Sequence, residues 1–108
     1  MTVVVWKQEL LPKMMAEDGT IRASLPRGAE IVRAGIAPNN NAAFWFVCDP
    51  NQAEDKEERI FRVVFTGEHI ESGGHRYHGT WWQGGLVYHL FEMFEDPSLL
   101  MNVLKETA

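Results

Sequence analysis

The chain has 108 residues, of which 45% are hydrophobic, so it is long enough for one domain with a single core. With 10 basic and 15 acidic residues its net charge is −5, which argues against non-specific nucleic-acid binding, because that mode relies on clustered Lys and Arg. No run approaches the roughly 18 apolar residues that a membrane-spanning helix needs, so no membrane partner is expected.

Most of the chain alternates apolar and polar residues between clusters of Gly, Pro and Asn, a pattern that predicts β-strands. The clearest alternation is in residues 20–26 (TIRASLP), where Ile21, Ala23 and Leu25 point to one face. The predicted strands are residues 3–7, 20–26, 29–36, 42–49, 59–67, 77–83 and 86–92.

Residues 42–49 (AAFWFVCD) are apolar on both faces, which predicts a central strand. We expect Trp45 in this strand and Trp6 in the first one to belong to the core. The polar run 50–58 that follows (PNQAEDKEE) predicts a solvated loop.

The only cysteine, Cys48, excludes an intramolecular disulfide and a zinc knuckle built on cysteine pairs. Its apolar run carries no basic residue that would stabilise a thiolate, so we expect a buried and unreactive thiol. A chain that relies on no disulfide is typical of a reducing compartment, and we therefore expect a cytoplasmic protein.

Residues 77–92 hold the pattern with the most consequences for function. Gly84 and Gly85 predict a two-residue hairpin turn, because both accept positive φ. The resulting register pairs Gln83 with Leu86, Trp82 with Val87, Thr80 with His89, and His78 with Phe91. One face would then carry His78, Thr80, Trp82, Val87, His89 and Phe91. The other would carry Tyr77, Gly79, Trp81, Tyr88, Leu90 and Glu92.

The end of the chain changes period. Asp96 and Pro97 are typical of a helix start, and apolar residues at helical spacing follow them. The predicted fold is therefore mostly β: an antiparallel sandwich or partly open barrel of about seven strands over residues 1–95. A short helix over residues 96–108 would pack on it or on a neighbouring subunit. Because both hairpin faces are partly apolar, a homodimer is one expected assembly.

Histidine is the residue type that most invites a search for catalysis. His78 and His89 share a face in the predicted register, and His69 or Glu68 would be needed as a third metal ligand. We expect a hydrogen-bonded structural role for His89 instead. No nucleophile elbow, phosphate loop or paired carboxylate is present, so no catalytic residue, metal or cofactor is predicted and an enzyme is not favoured.

Adjacent tryptophans in a strand point to opposite faces, so one of Trp81 and Trp82 is available for binding. An exposed Trp81 with Tyr77, Arg62 and Arg76 would form a nucleotide clamp, in which Arg meets phosphate and indole stacks on the base. Exposed aromatics are equally typical of protein interfaces. The candidate ligand- or partner-binding residues are Arg62, His69, Arg76, Tyr77, His78 and Trp81.

Several short motifs occur in a fixed order over residues 3–92. They are VWKQEL at 5–10, LPRGAEI at 25–31, FWFVCDP at 44–50, FRVVFTGEHI at 61–70, HGT at 78–80 and YHLFE at 88–92. In this order they resemble a family of small bacteriophage and prophage proteins that has no established activity or catalytic residues. The chain departs from the family pattern at Glu68, which stands between the Gly67 and His69 of a usual T-G-H.

The resemblance implies a phage origin and expression in an infected bacterium. The leading hypothesis is therefore a non-enzymatic accessory protein that binds and inhibits a host defence or regulatory protein. It would use sheet edges, acidic loops around residues 54–58 and exposed aromatics near Trp81. The alternatives are a protein that sequesters a nucleotide signal and, third, a metal-dependent hydrolase built on Glu68, His69, His78 and His89.

Overall fold

The computed structural model describes residues 2–70 and 74–94. The strands within them are β1 (Val4–Glu9), β2 (Thr20–Pro26), β3 (Glu30–Ile36), β4 (Ala42–Cys48), β5 (Lys56–Phe65), β6 (His75–Gln83) and β7 (Leu86–Met93). Two short 3₁₀ helices lie at Pro12–Met14 and Pro50–Gln52. The prediction of a mostly β domain with about seven strands is confirmed. The predicted helix over 96–108 lies outside the described residues.

The strands form two antiparallel sheets, and the described strands do not close into a barrel. One sheet has three strands in the order β1-β4-β3, and the other has four in the order β2-β5-β7-β6. β3 packs beside β6, so the sheets approach each other on that side, while β1 and β2 are the free edges. Residues 10–19 connect the two free edges. None of the described residues forms a helix long and apolar enough to cross a membrane.

The core lies between the two sheets. Phe44 of β4 packs on Phe61 of β5 with ring centroids 4.8 Å apart, and both side chains are fully buried. The alternation predicted in β2 is confirmed, since its three apolar residues are buried and Arg22 between them is exposed. Cys48 is also buried, as predicted, and burial raises the pKa of its thiol.

The core positions predicted for two tryptophans are wrong. Trp45 alternates with the inward-facing Phe44 and Phe46, so its ring lies half-buried on the outer face of the three-stranded sheet. Trp6 faces Phe46 edge to face, but β1 is an edge strand, and the indole is 38% exposed. Position in an apolar strand therefore did not predict burial.

The loop predicted over residues 50–58 is also wrong in its last part, because β5 begins at Lys56. Residues 56–58 pair with residues 24–26 at the end of β2. Glu58 also forms an ion pair with Arg22, two residues before its pairing partner, at 3.0 Å. Arg27, just after β2, contacts the same acidic segment. The segment is polar on both faces, so its extended form depends on the partner strand and leaves no periodic pattern in the sequence.

The predicted hairpin is confirmed, with Gly84 at φ +59° and Gly85 at φ +82°. The pairs Gln83–Leu86, Trp82–Val87 and Thr80–His89 have the predicted register. Beyond them a bulge between Tyr77 and Gly79 shifts the register, so that Tyr77, not His78, lies opposite Phe91. The face predicted for Tyr77 and for His78 is therefore wrong.

Gly79 of β6 lies directly against Ala34 of β3. A Cβ atom built on Gly79 would be 2.7 Å from the Ala34 carbonyl oxygen and 2.9 Å from the Ala34 nitrogen. These distances are shorter than real Cβ contacts, and both atoms belong to the backbone. The two sheets can therefore pack this closely only because residue 79 is a glycine.

Candidate functional site

The outer face of the four-stranded sheet carries a group of rings from β6 and β7. His75 and Tyr77 both contact Phe91 edge to face, with ring centroids 5.2 and 5.7 Å away. Trp82, near the hairpin turn, is 73% exposed, and Tyr77 is 55% exposed. We call this set the aromatic face: His75, Tyr77, Trp82, His89 and Phe91.

A series of hydrogen bonds links side chains of the aromatic face to two threonines. The Tyr77 hydroxyl lies 2.6 Å from Thr80 Oγ1, which lies 2.8 Å from Nδ1 of His89. The other ring nitrogen of His89 lies 2.8 Å from Thr66 Oγ1. Both nitrogens of His89 are therefore satisfied, and its predicted structural role is confirmed. The hydrogen bond with Thr80 also holds the Tyr77 ring in one orientation.

The bulge in β6 decides which side chains reach this face. An extra residue in one strand of an antiparallel pair re-aims the side chains around it. Tyr77 is brought onto the side of Phe91, while His78 turns into the space between the sheets. Without the bulge, the alternation would place Tyr77 on the face of Trp81 and His78 on the face of Phe91, as the sequence had predicted.

In the interior, His78 belongs to a group that we call the buried triad: Arg59, His78 and Glu92. Arg59 donates two hydrogen bonds to the Glu92 carboxylate, at 2.6 and 2.7 Å, and also donates to the carbonyl of Ala29. His78 Nε2 lies 2.9 Å from the same carboxylate. The three side chains are 14%, 6% and 8% exposed for Arg59, His78 and Glu92 respectively.

The electrostatics of the buried triad favour the charged carboxylate. Burial alone would raise the pKa of Glu92, but hydrogen bonds from Arg59 and His78 outweigh it and lower that pKa to about 2. The hydrogen bond to Glu92 correspondingly raises the pKa of the Arg59 guanidinium. The charges compensate each other inside the fold, which is the arrangement of a structural ion pair.

Two surface cavities of about 560 and 450 Å³ flank the buried triad, at the end of the sandwich where β6 begins and β7 ends. Arg76 lines both, and its guanidinium lies over the Phe94 ring, 5.4 Å from the ring centroid. The larger cavity is also lined by Glu57 and Glu58. Arg59 also lines both cavities, and Glu92 lines the larger one, so the two arginines at this end lie among carboxylates.

The structure distributes the predicted binding residues over different places. Tyr77 is on the aromatic face, and Arg62 lies on the same side of the sheet but forms an ion pair with Glu68 at 3.1 Å. Arg76 lies at the end of the sandwich, and His69 is exposed in the loop after β5. Trp81 is only 4% exposed, so the expectation of an exposed Trp81 is wrong; Trp82 is the exposed ring. The four residues of the nucleotide clamp do not converge.

The metal set predicted as the third alternative does not assemble either. The bulge places His78 inside and leaves His89 on the outer face, so these two side chains do not meet. Glu68 is paired with Arg62. Within residues 2–70 and 74–94, no three His, Cys, Asp or Glu side chains are placed to hold a metal ion.

Sequence reasoning missed the pair of Arg59 and Glu92, although a signal was present. Arg59 is two residues before the inward-facing Phe61, and Glu92 is two residues after the buried Leu90. Because alternate residues of a strand share a face, both side chains are expected to point into the core. Two ionisable residues of opposite charge at core-facing positions of neighbouring strands indicate a buried ion pair.

Comparison with curated proteins and with solved structures finds no match to this chain. One family model matches, over residues 1–99, and its description is "Domain of unknown function (DUF7352)". The match covers nearly the whole chain, including every described strand. The chain therefore belongs to the DUF7352 family.

Proposed function

We propose that the protein is a non-enzymatic phage accessory protein that binds a protein of the host bacterium through its aromatic face. By occupying a surface of a defence or regulatory factor in the host cytoplasm, it would inhibit that factor. The ordered sequence motifs support the phage origin. The observation that carries the binding proposal is the exposure of Trp82 and Tyr77 on one rigid sheet face.

Tryptophan and tyrosine are the residues that most often dominate binding energy at protein interfaces. They bury a large area and have only two rotatable side-chain bonds, so ordering them costs little conformational entropy. Here the cost is lower still, because Thr80 and Phe91 already hold Tyr77 in place. A ring fixed before binding is the form of anchor that a protein partner can use.

The surroundings of the rings favour a protein partner over a nucleotide. The guanidinium of Arg62 contacts Glu68, and that of Arg76 packs on Phe94 at the end of the sandwich. A nucleotide stacked on Trp82 or Tyr77 would therefore lack the arginine that its phosphate requires. A protein groove that receives two aromatic anchors has no such requirement.

The test uses the tagged full-length protein, with lysate of a bacterium infected by the phage that encodes it. A retained protein is identified, purified and titrated by calorimetry. We expect Trp82→Ala to weaken its binding by about 30-fold, because truncating a central aromatic anchor costs about 2 kcal/mol or more. Since the Trp82 ring is largely exposed, the melting temperature should change little.

Val5→Ala is the matched control, because Val5 is 57% exposed on the outer face of the other sheet. It should leave the affinity unchanged. Equal affinity of wild type and Trp82→Ala would contradict the proposal, as would a loss confined to Val5→Ala. Light scattering adds one more outcome. A dimer that Trp82→Ala dissociates would show that a second copy of the chain, not a host protein, covers the aromatic face.

A further inference from the structure

A third cavity lies at the hairpin end of the sandwich, away from the buried triad and the two cavities beside it. Its volume is about 220 Å³, and its lining includes Leu10, Met15, Ala42, Val63 and Tyr88. None of its described lining residues carries a charge. The side-chain nitrogen of Gln83, at its rim, donates to the carbonyl of Asn40. The cavity is thus an apolar space with very few polar groups.

One of those polar groups has no partner. Trp81 lines the cavity and is 4% exposed, and its indole Nε1–H is buried without an acceptor in the part of the chain that the structure describes. Native proteins rarely leave a buried donor unsatisfied, so such a group calls for a specific explanation. The indole is also fixed in position, because it stacks on Tyr88 with ring centroids 5.9 Å apart.

We propose that this cavity binds a small uncharged molecule that has a flat apolar body and one hydrogen-bond acceptor. The acceptor takes the Nε1–H of Trp81, and the apolar body fills the space beside Ala42 and Val63. A charged ligand is excluded because the lining offers no counter-charge. A cavity of about 150 Å³ accommodates benzene, so the present one accommodates a single ring with a short substituent.

Water is a poorer occupant for the same reasons. A buried water needs two to four polar partners, whereas most of the lining is apolar. Besides the indole, the only polar side chains among the described lining residues are Gln83, whose nitrogen already donates to Asn40, and Tyr88. The site is also independent of the proposed host interface, since Trp81 and Trp82 project to opposite sides of β6. The inference therefore goes beyond the proposed function and does not rest on it.

The test titrates the full-length ¹⁵N-labelled protein with acetophenone and follows the indole N–H signals. The control ligand is α-methylstyrene, which has the same shape but carries a CH₂ group in place of the carbonyl oxygen. We expect acetophenone to move the Trp81 indole proton downfield in a saturable way. The control should bind about tenfold more weakly, as expected for one hydrogen bond, and should give no downfield shift.

Two variants locate the response. Trp81→Phe identifies the Trp81 signal by its loss and removes the donor. Ala42→Leu fills the cavity and should abolish the saturable shift, and it keeps the test decisive if Trp81→Phe does not fold. Trp82→Phe should bind acetophenone like the wild type. Absence of a saturable shift, an equal response to both ligands, or full binding by Ala42→Leu would overturn the proposal.

Discussion

Replacing Glu92 with glutamine is expected to lower the free energy of unfolding by about 3 kcal/mol at pH 7. The substitution keeps the shape of the side chain but removes the carboxylate charge that accepts both hydrogen bonds from the Arg59 guanidinium, which is only 14% exposed. The pKa of Glu92 gives the same magnitude, since its fall from 4.5 to about 2 corresponds to about 3 kcal/mol. Urea unfolding of the two proteins at pH 7 measures the difference.

The sign of the pH dependence follows from the same pKa. Because the carboxyl has a lower pKa in the folded protein than in the unfolded chain, its stabilisation is complete above pH 4.5. It is lost as the pH falls from there towards 2. The wild type should therefore become less stable over this range, and the difference between it and Glu92→Gln should shrink.

Glu58→Gln is the matched control, because Glu58 also forms a carboxylate–arginine pair, with Arg22 at 3.0 Å, but is 62% exposed. A pair at the surface is expected to contribute at most about 1 kcal/mol. If Glu92→Gln were as mild as Glu58→Gln, the interior of the sandwich would have to be far better hydrated than the packing around Glu92 indicates.

The second large effect is expected for Gly79→Ala, which should destabilise the fold by about 3 kcal/mol, the upper end of the usual cost of overpacking. The new methyl group would collide with the carbonyl oxygen and the nitrogen of Ala34. Neither backbone atom can move without displacing β3 from β6. Thermal and urea unfolding measure the loss, and near-ultraviolet circular dichroism reports the changed packing.

Gly35→Ala, in β3, is the control for adding a methyl group to a strand glycine. Its nearest contact would be Nε of Arg33 at 3.7 Å, an ordinary van der Waals distance, so stability should be almost unchanged. Adding Ala34→Gly to Gly79→Ala should restore little, because the backbone collisions remain. A Gly79→Ala protein as stable as Gly35→Ala would show that the sheets separate there at no cost.

The strands and the hairpin register were predictable because they depend on local rules. Alternation with period two assigns β2, and two adjacent glycines set the turn that pairs Trp82 with Val87. These rules do not predict where the regular pairing of β6 with β7 ends, just beyond Gly79. The bulge shifts Tyr77 and His78 out of the predicted register. The neighbouring Gly79 keeps its register but lies against Ala34, a residue more than forty positions away in the chain. No local pattern reports that contact.

The composition of the candidate site was harder to predict for a related reason. Trp81 and Trp82 are chemically identical neighbours, and both faces of their strand are partly apolar, so the sequence does not say which ring is buried. The choice depends on the other sheet, which covers Trp81. Arg59 and Glu92 belong to separate strands, and only the pairing of β5 with β7 brings them together. The tertiary arrangement therefore decides where all four of these side chains lie.

The approach of β3 to β6 also has a dynamic consequence. Where two backbones lie this close without an intervening side chain, we expect the two sheets to move least relative to each other. We expect wider fluctuation at the opposite margin, between β1 and β2, where residues 10–19 form the connection and several of them line the apolar cavity. Amide protons in that connection should exchange with solvent faster than those near the contact of β3 with β6, and any molecule that enters or leaves the cavity is expected to pass there.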